Sequence, residues 1–272
     1  MVIAMPEQLT PRLRVATLNT RGIAIRASQL ASRYAMIGTE FEAGTADVVC
    51  FQEVFTYWHL RLLARRMRSF GHVSYRRSTL GPAGGLVTFS RMPVSGQDYH
   101  GFGAPPDAPG VPRHVRSRAR LKGALVTRLA RPGLCVVTTH PVANWDGDWS
   151  PGNRFYPLHR AQLAVLEQVM REVSGPAVLC GDFNLARDSS LFDDFIRDTG
   201  LSDAFEGECP PTFRAEYLPP GKPPHCIDFI LTTDGVKAEA ATLAFTDKVP
   251  LPGGPGYVSD HVGLRATLLV SA

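Results

Sequence analysis

Six short polar signatures each sit at an end of an apolar, strand-like run: Thr17-Leu18-Asn19-Thr20, Phe51-Gln52-Glu53-Val54, Thr138-Thr139-His140, Gly181-Asp182-Phe183-Asn184, Ile227-Asp228-Phe229 and Ser259-Asp260-His261. Their side chains are amides, carboxylates and imidazoles, the groups that metal-assisted hydrolysis of a phosphoester needs. That reaction requires a clamp on the non-bridging oxygens, an activated water and relief of charge on the leaving oxygen. A hard cation such as Mg2+ supplies much of this and prefers oxygen ligands with retained water. Asn19, Glu53, Asp182, Asn184 and Asp260 are the oxygen donors, each at or just past a strand end, where loops converge on a cleft. Singly, Asn19 is an ordinary turn residue and Glu53 an ordinary helix cap. Six such signatures together point to one site.

Within the set, Asp182 and Asn184 point the same way if extended geometry persists through Gly181-Asp182-Phe183-Asn184. His140 and His261 bring groups that exchange protons near neutral pH. Asp228 is an acid inside an otherwise apolar strand, and a buried carboxylate is costly unless paired. It is expected to accept a hydrogen bond from His261 and fix its tautomer, so that His261 can act as a base. A further motif is the cation-rich run Arg113 to Lys122. If it is extended, Arg116, Arg118 and Arg120 share one face and form a ribbon for the phosphates of a nucleic acid, an anionic membrane surface or a phosphorylated metabolite. No interleaved aromatics suggest base stacking there.

Positioning these residues requires many strands. Apolar runs occur at Leu13 to Asn19, Ala46 to Phe51, Gly85 to Ser90, Leu121 to Leu129, Leu134 to Thr139, Ala177 to Cys180, Cys226 to Leu231 and Val262 to Val270. Several are continuously apolar and are expected to be covered on both faces. Helical periodicity lies between them, over Ala27 to Glu42, Tyr57 to Phe70, a segment from near Pro157 that Gly175-Pro176 stops, and Ser190 to Asp198. Ser95 to Pro112, rich in Gly and Pro, reads as loop. Strands interleaved with helices, without a Gly-rich phosphate loop or strict alternation, predict an α/β fold of two packed sheets flanked by helices. No repeat or composition shift marks a linker, so one domain over 1–272, with a core of about 12–270, is expected.

These motifs resemble, in order and over nearly the whole chain, the endonuclease/exonuclease/phosphatase superfamily. The resemblance implies a four-layered α/β sandwich of two mixed sheets with outer helices. It implies Glu53 as the principal Mg2+ ligand (Mn2+ being an alternative), assisted by Asn19 and Asp260. Asp182 and Asn184 would hold the nucleophilic water and the phosphate, His261 would pair with Asp228, and His140 would stabilise the transition state or protonate the leaving group. Gly84 to Arg91, Lys122-Gly123-Ala124 and the Arg160-Ala161-Gln162 helix start resemble the neutral sphingomyelinase-like branch, which makes Arg160, with Arg116 and Arg118, a candidate substrate contact. The implied activity is phosphoester hydrolysis on a phospholipid or small phosphorylated molecule. A deoxyribonuclease I-like nuclease and a catalytically silent binding protein are the alternatives. Thr139-His140-Pro141 departs from the family's usual Thr-His-Leu and stiffens the strand exit.

The remaining bulk features agree with this reading. A net charge of +4 and a pI near 8.9 suit an anionic substrate. Five cysteines without a Cys-x-x-Cys pair argue against a zinc site and for reduced thiols, with Cys209 and Cys226 able to pair only in an oxidising compartment. No secretory leader or membrane-spanning run is visible, which predicts a cytoplasmic protein, and no obligate protein partner is evident.

Overall fold

In Val48-Val49-Cys50-Phe51, alternate side chains must leave opposite faces of a strand, and all four are apolar. The computed structural model shows where they go. Val48 and Cys50 join a core shared with Val126, Val136 and Leu179, whereas Val49 and Phe51 pack with Tyr34, Ile37, Phe41 and Leu63. The continuous apolar runs are therefore buried on both faces, as expected.

The structure describes residues 10–23 and 29–271. The segment Met1 to Pro6 and the start of the helix expected from Ala27 lie outside these residues. In chain order the elements begin with β1 (Arg12–Asn19), α1 (Leu30–Ala43), β2 (Val48–Gln52), α2 (Tyr57–Ala64), β3 (His72–Ser74), β4 (Val87–Ser90) and β5 (Val94–Gly101). Next come α3 (Arg113–Ala119), β6 (Gly123–Leu129), β7 (Cys135–Thr139), α4 (Tyr156–Glu172), β8 (Ala177–Asp182) and α5 (Ser190–Thr199). Last are β9 (Ser202–Asp203), β10 (Asp228–Thr232), β11 (Val236–Ala244), β12 (Val249–Leu251), β13 (Gly254–Gly256) and β14 (Gly263–Val270).

Two six-stranded mixed sheets result, in the orders β11-β14-β1-β2-β4-β3 and β5-β6-β7-β8-β10-β9. Their centres follow one plan. A parallel pair (β1 with β2, β7 with β8) is flanked on each side by antiparallel strands. Parallel neighbours need a crossover, and α1 and α4 supply it. Helices α1 and α2 cover the first sheet, and α4 and α5 cover the second with Leu163, Leu166, Phe192 and Phe195. The layers are helix, sheet, sheet, helix, the α/β sandwich expected from the sequence.

The helix ends follow local chemistry. The Thr56 hydroxyl accepts the His59 N–H at 3.1 Å and starts α2, and Ser189 does the same for α5. Gly200 ends α5 in the left-handed region at φ 67°.

Three expectations need correction. Ser95 to Pro112 is not wholly loop, because β5 pairs with β6 as an edge strand that a bulge near Ser95 interrupts. Helix α2 stops at Ala64, although Met67 and Phe70 beyond it remain buried. The Arg113 to Lys122 run is not an extended ribbon. Pro112 precedes α3, Val115 and Ala119 lie one helical turn apart, and both are buried in a small cluster with Val142, Phe155 and Leu158. A helix rotates about 100° per residue, so Arg116 and Arg118 diverge instead of sharing a face.

Gln52, at the end of β2, bridges the sheets. Its amide nitrogen donates to the hydroxyls of Thr17 on β1 and Thr138 on β7, each at 3.0 Å, and all three residues are buried. Gln52→Ala leaves both hydroxyls without that donor in the interior and should lower stability by about 3 kcal/mol. Urea unfolding measures this, and an unchanged midpoint would show that the bridge carries no weight.

Candidate active site

The shared sheet plan brings the functional side chains together. Asn19 closes β1 in register with Gln52, which places Glu53 one residue beyond β2. In the second sheet, Thr139 registers with Gly181 and Asp182 with Asp228. His140 follows Thr139, so His140, Asp182 and Asp228 form a row across the strand ends of β7, β8 and β10. Close approach there depends on Gly181. A Cβ at this position would lie 2.2 Å from the Thr139 carbonyl oxygen, and its φ of 139° is one L side chains rarely adopt.

Asp182 is the hub of the site. Its Oδ2 accepts the Asn19 amide at 2.8 Å across the two sheets and the Asn184 amide at 3.3 Å, and it faces His140 Nε2 at 3.3 Å and His261 Nε2 at 3.6 Å. Its Oδ1 accepts the Asn184 backbone N–H at 2.9 Å. Burial alone would raise this carboxyl, but the charge of His261 and the His140 and Asn19 hydrogen bonds outweigh it and hold it well below the usual carboxylate range. Asp182 and Asn184 do converge, though not by extended alternation. The strand stops at Asp182 and Asn184 turns left-handed, with φ 50°.

His261 Nδ1 meets Asp228 Oδ2 at 2.8 Å, as the sequence suggested. Burial would lower this imidazole, but Asp228 and then Asp182 reverse the effect and raise it to about 10. Burial raises the Asp228 carboxyl, and the adjacent His261 only partly offsets this. The nearest atoms of Asp182, Asp228 and His261 lie within 4.8 Å of one another. In the metal-free protein the trio is a hydrogen-bonded charge cluster, and its two carboxylates and imidazole are also close enough together to hold a metal ion.

Oxygen donors for a cation also gather around the turn after Asn19. Asn19 Oδ1 accepts the Arg21 N–H at 3.0 Å, Glu53 Oε2 accepts the Gly22 N–H at 2.9 Å, and Asp260 Oδ2 faces Arg21 Nε at 3.4 Å. Glu53 is half-buried and left-handed, with φ 63°. A non-glycine residue held this way is a strained position of the kind found at functional sites. Gly22 makes it feasible, since a Cβ there would fall 1.8 Å from the Glu53 carbonyl oxygen. Two carboxylates and an amide oxygen about one turn form a hard donor set that fits a divalent cation such as Mg2+.

Several residues support the site, of which Arg33 and Thr212 carried no signal in the sequence. Buried Arg33 on α1 donates to the carbonyl oxygens of Thr20, Arg21 and Val258, at 2.9, 2.9 and 2.7 Å, and fixes the turn. The Ser259 hydroxyl donates to the Asn19 carbonyl at 2.6 Å, and the Thr212 hydroxyl accepts the Ile227 and Asp228 N–H groups at 3.0 and 3.1 Å. Half-buried Lys122 is pushed down to about 8 by burial, against the pull of Glu53 and Asp182, so its ammonium lies in the field of both carboxylates. Among the described residues, Arg116, Arg118 and Arg160 hydrogen-bond to none of these side chains. Arg116 pairs with Asp107 at 3.6 Å, Arg118 is exposed on α3, and Arg160 lies on α4 with Nη1 buried and unpartnered.

This geometry can be set beside known proteins. The sequence pattern of the Endonuclease/Exonuclease/phosphatase family matches residues 16–261, from β1 to His261. The chain belongs to this family. Members of this family hydrolyse phosphoester bonds and use a divalent metal. Over 189 residues this family member is 31% identical to Protein angel homolog 2 of Danio rerio, an alignment covering 62% of this chain but only 30% of that protein. Its fold resembles sphingomyelinase C from Streptomyces griseocarneus, with a TM-score of 0.67 and 18% identity over 95% of this chain and 99% of that one. It also resembles Danio rerio TDP2 in complex with a single-strand DNA product, with a TM-score of 0.69 and 18% identity over 94% of this chain and 98% of that one. Among the described residues no helix is long and apolar enough to cross a membrane.

Proposed function

We propose that this phosphoesterase is Mg2+-dependent and releases the head group of a phospholipid, in the manner of a sphingomyelinase or phospholipase C. One observation carries the choice of substrate class. Two of the three segments whose sequences resemble sphingomyelinase-like proteins, Gly84 to Arg91 and Lys122 to Ala124, border Glu53. The Gly85 carbonyl accepts the Val54 N–H at 2.9 Å, and Lys122 lies in the field of Glu53. The likeness to sphingomyelinase C supports the same reading.

Glu53, with Asn19 and Asp260, would hold the cation, which when bound would supply charge neutralisation for phosphoryl oxygens and a water of lowered proton affinity. Asp182 and Asn184 orient that water and the phosphate. His261, whose proton affinity Asp228 and Asp182 raise against burial, exchanges a proton with the water or a phosphoryl oxygen. Asp228 accepts from its Nδ1 and holds the ring in orientation. His140, hydrogen-bonded to Asp182, serves the leaving oxygen. Lys122 adds positive charge at the mouth of the site.

A panel of sphingomyelin, glycerophospholipids, phosphoinositides, nucleotides and plasmid DNA, each assayed with Mg2+ and with EDTA, tests this. Head-group release that requires Mg2+ and stops in EDTA is expected. Plasmid nicking without turnover of any phospholipid would overturn the substrate class, and full activity in EDTA would overturn the metal.

A further inference from the structure

We propose that the face beside Glu53 bearing Phe55, Trp58, Leu80 and Leu121 docks the protein onto an anionic phospholipid bilayer; this deepens the phospholipid reading above and rests on it for its purpose. Large apolar side chains are normally exposed singly. Here Leu80 is 76% exposed, Leu121 69%, Trp58 51% and Phe55 37%. One loop gathers them. The Leu80 carbonyl accepts the Tyr57 N–H at 3.2 Å, which puts the loop tip on the first turn of α2 beside Trp58. A Cβ on Gly81 would lie 2.4 Å from the Phe55 carbonyl oxygen, and one on Gly84 would lie 3.4 Å from that of Leu121. Phe55 is two residues from Glu53, so this apolar face borders the candidate active site.

Charge identifies the occupant. From residue 54 to 97 the chain has seven Arg and no Asp or Glu, and from 108 to 145 it has six Arg, one Lys and again no acid. These two stretches carry +14 in a chain whose net charge is +4, leaving −10 for the rest. They include the exposed Arg76 and Arg77 at the stem of the Leu80 loop, where Arg77 bridges Pro82, and the exposed Arg118 and Arg120 beside Leu121. Four exposed arginines beside exposed apolar side chains match the two forces that hold a peripheral protein on a membrane. These are attraction to anionic head groups and partition of apolar groups at the acyl boundary. A nucleic acid would share the first force. It would gain little from two highly exposed leucines, which have no π face for a base to stack on.

Co-sedimentation of the full chain with phosphatidylcholine vesicles, with and without phosphatidylserine, is the test, run in EDTA so that no turnover intervenes. Wild type should partition onto the mixed vesicles. Leu80→Ser with Leu121→Ser should weaken that partition about tenfold, from lost apolar burial alone. Arg76→Ser with Arg77→Ser should weaken it roughly tenfold on mixed vesicles and leave phosphatidylcholine binding unchanged. All four positions are exposed, and circular dichroism confirms that the variants fold. Docking is overturned if wild type ignores mixed vesicles, if the leucine variant binds them as wild type does, or if a single-stranded oligonucleotide displaces wild type from them at equimolar concentration. Because binding is read without hydrolysis, a protein that docks but cleaves no phospholipid refutes the substrate class and leaves the surface standing, and the converse result does the opposite.

Discussion

Glu53→Gln should leave a folded protein whose turnover is at least about a thousandfold lower. A metal clamp supplies several kcal/mol of transition-state stabilisation, and each 1.4 kcal/mol is a factor of ten. The substitution is chosen to separate charge from architecture. Glutamine keeps an oxygen that can accept the Gly22 N–H now bound at 2.9 Å, and the left-handed backbone at Glu53 stays fixed by the Tyr34 hydroxyl, which donates to its carbonyl at 3.2 Å. What is lost is one of the two carboxylate charges about the Arg21–Gly22 turn. Calorimetric titration with Mg2+ or Mn2+ should show weakened binding in step with the loss of turnover on the substrate found by the panel. A variant that binds metal like wild type and retains turnover within a factor of about three would remove Glu53 from the metal site. Excess metal should restore part of the variant's activity if the defect is affinity, an effect that a folding defect would not produce.

How far the site was legible in the sequence depends on whether a residue acts through its own strand or through a distant one. The continuous apolar runs fixed their own burial, and each carried a functional residue at its end, so Asn19, Glu53, His140, Asp182, Asp228 and His261 could be read from single strands. The pairing of Asp228 with His261 was legible because a carboxylate in an apolar strand must find a partner. Arg33, Thr212 and Ser259 were not legible as supports. Their hydrogen bonds run to backbone atoms brought near only by tertiary packing, and an arginine on a helix gives no sign that it will be buried. The cationic run from Arg113 was misread because its charges suggested a ribbon, whereas two small apolar residues four apart decided the matter by packing under α4. Edge strand β11 was missed for a related reason: Lys237-Ala238-Glu239-Ala240 has the composition of a helix, and pairing with β14 overrides that propensity.

Asp228→Asn should lower kcat by about 10⁴, the size of effect seen when the orienting carboxylate of a His–Asp pair is made neutral and the imidazole loses its correct tautomer. Asp228 Oδ2 holds His261 Nδ1 at 2.8 Å, while Asp228 Oδ1 is buried without a hydrogen-bond partner, so the carboxylate is committed to the imidazole on one side and free on the other. An asparagine amide placed toward Nδ1 forces the proton to Nε2; an asparagine oxygen placed there preserves the geometry but not the charge. Either way the largest influence raising the proton affinity of His261 disappears, and burial, which opposes it, remains. In the metal-free protein His261 is raised to about 10, so it is an imidazolium through neutral pH and loses its proton only as pH rises through that value. In the variant its titration should move down toward the ordinary histidine range near 6.5. NMR titration of the ring protons in EDTA follows this directly. Since Asp182 also favours the charged ring, a partial shift identifies its share, and Asp182→Asn combined with Asp228→Asn should bring the ring lower still. A His261 titration that stays near 10 in the single variant would show that Asp182 alone holds the proton, and Asp228 would then be a structural carboxylate.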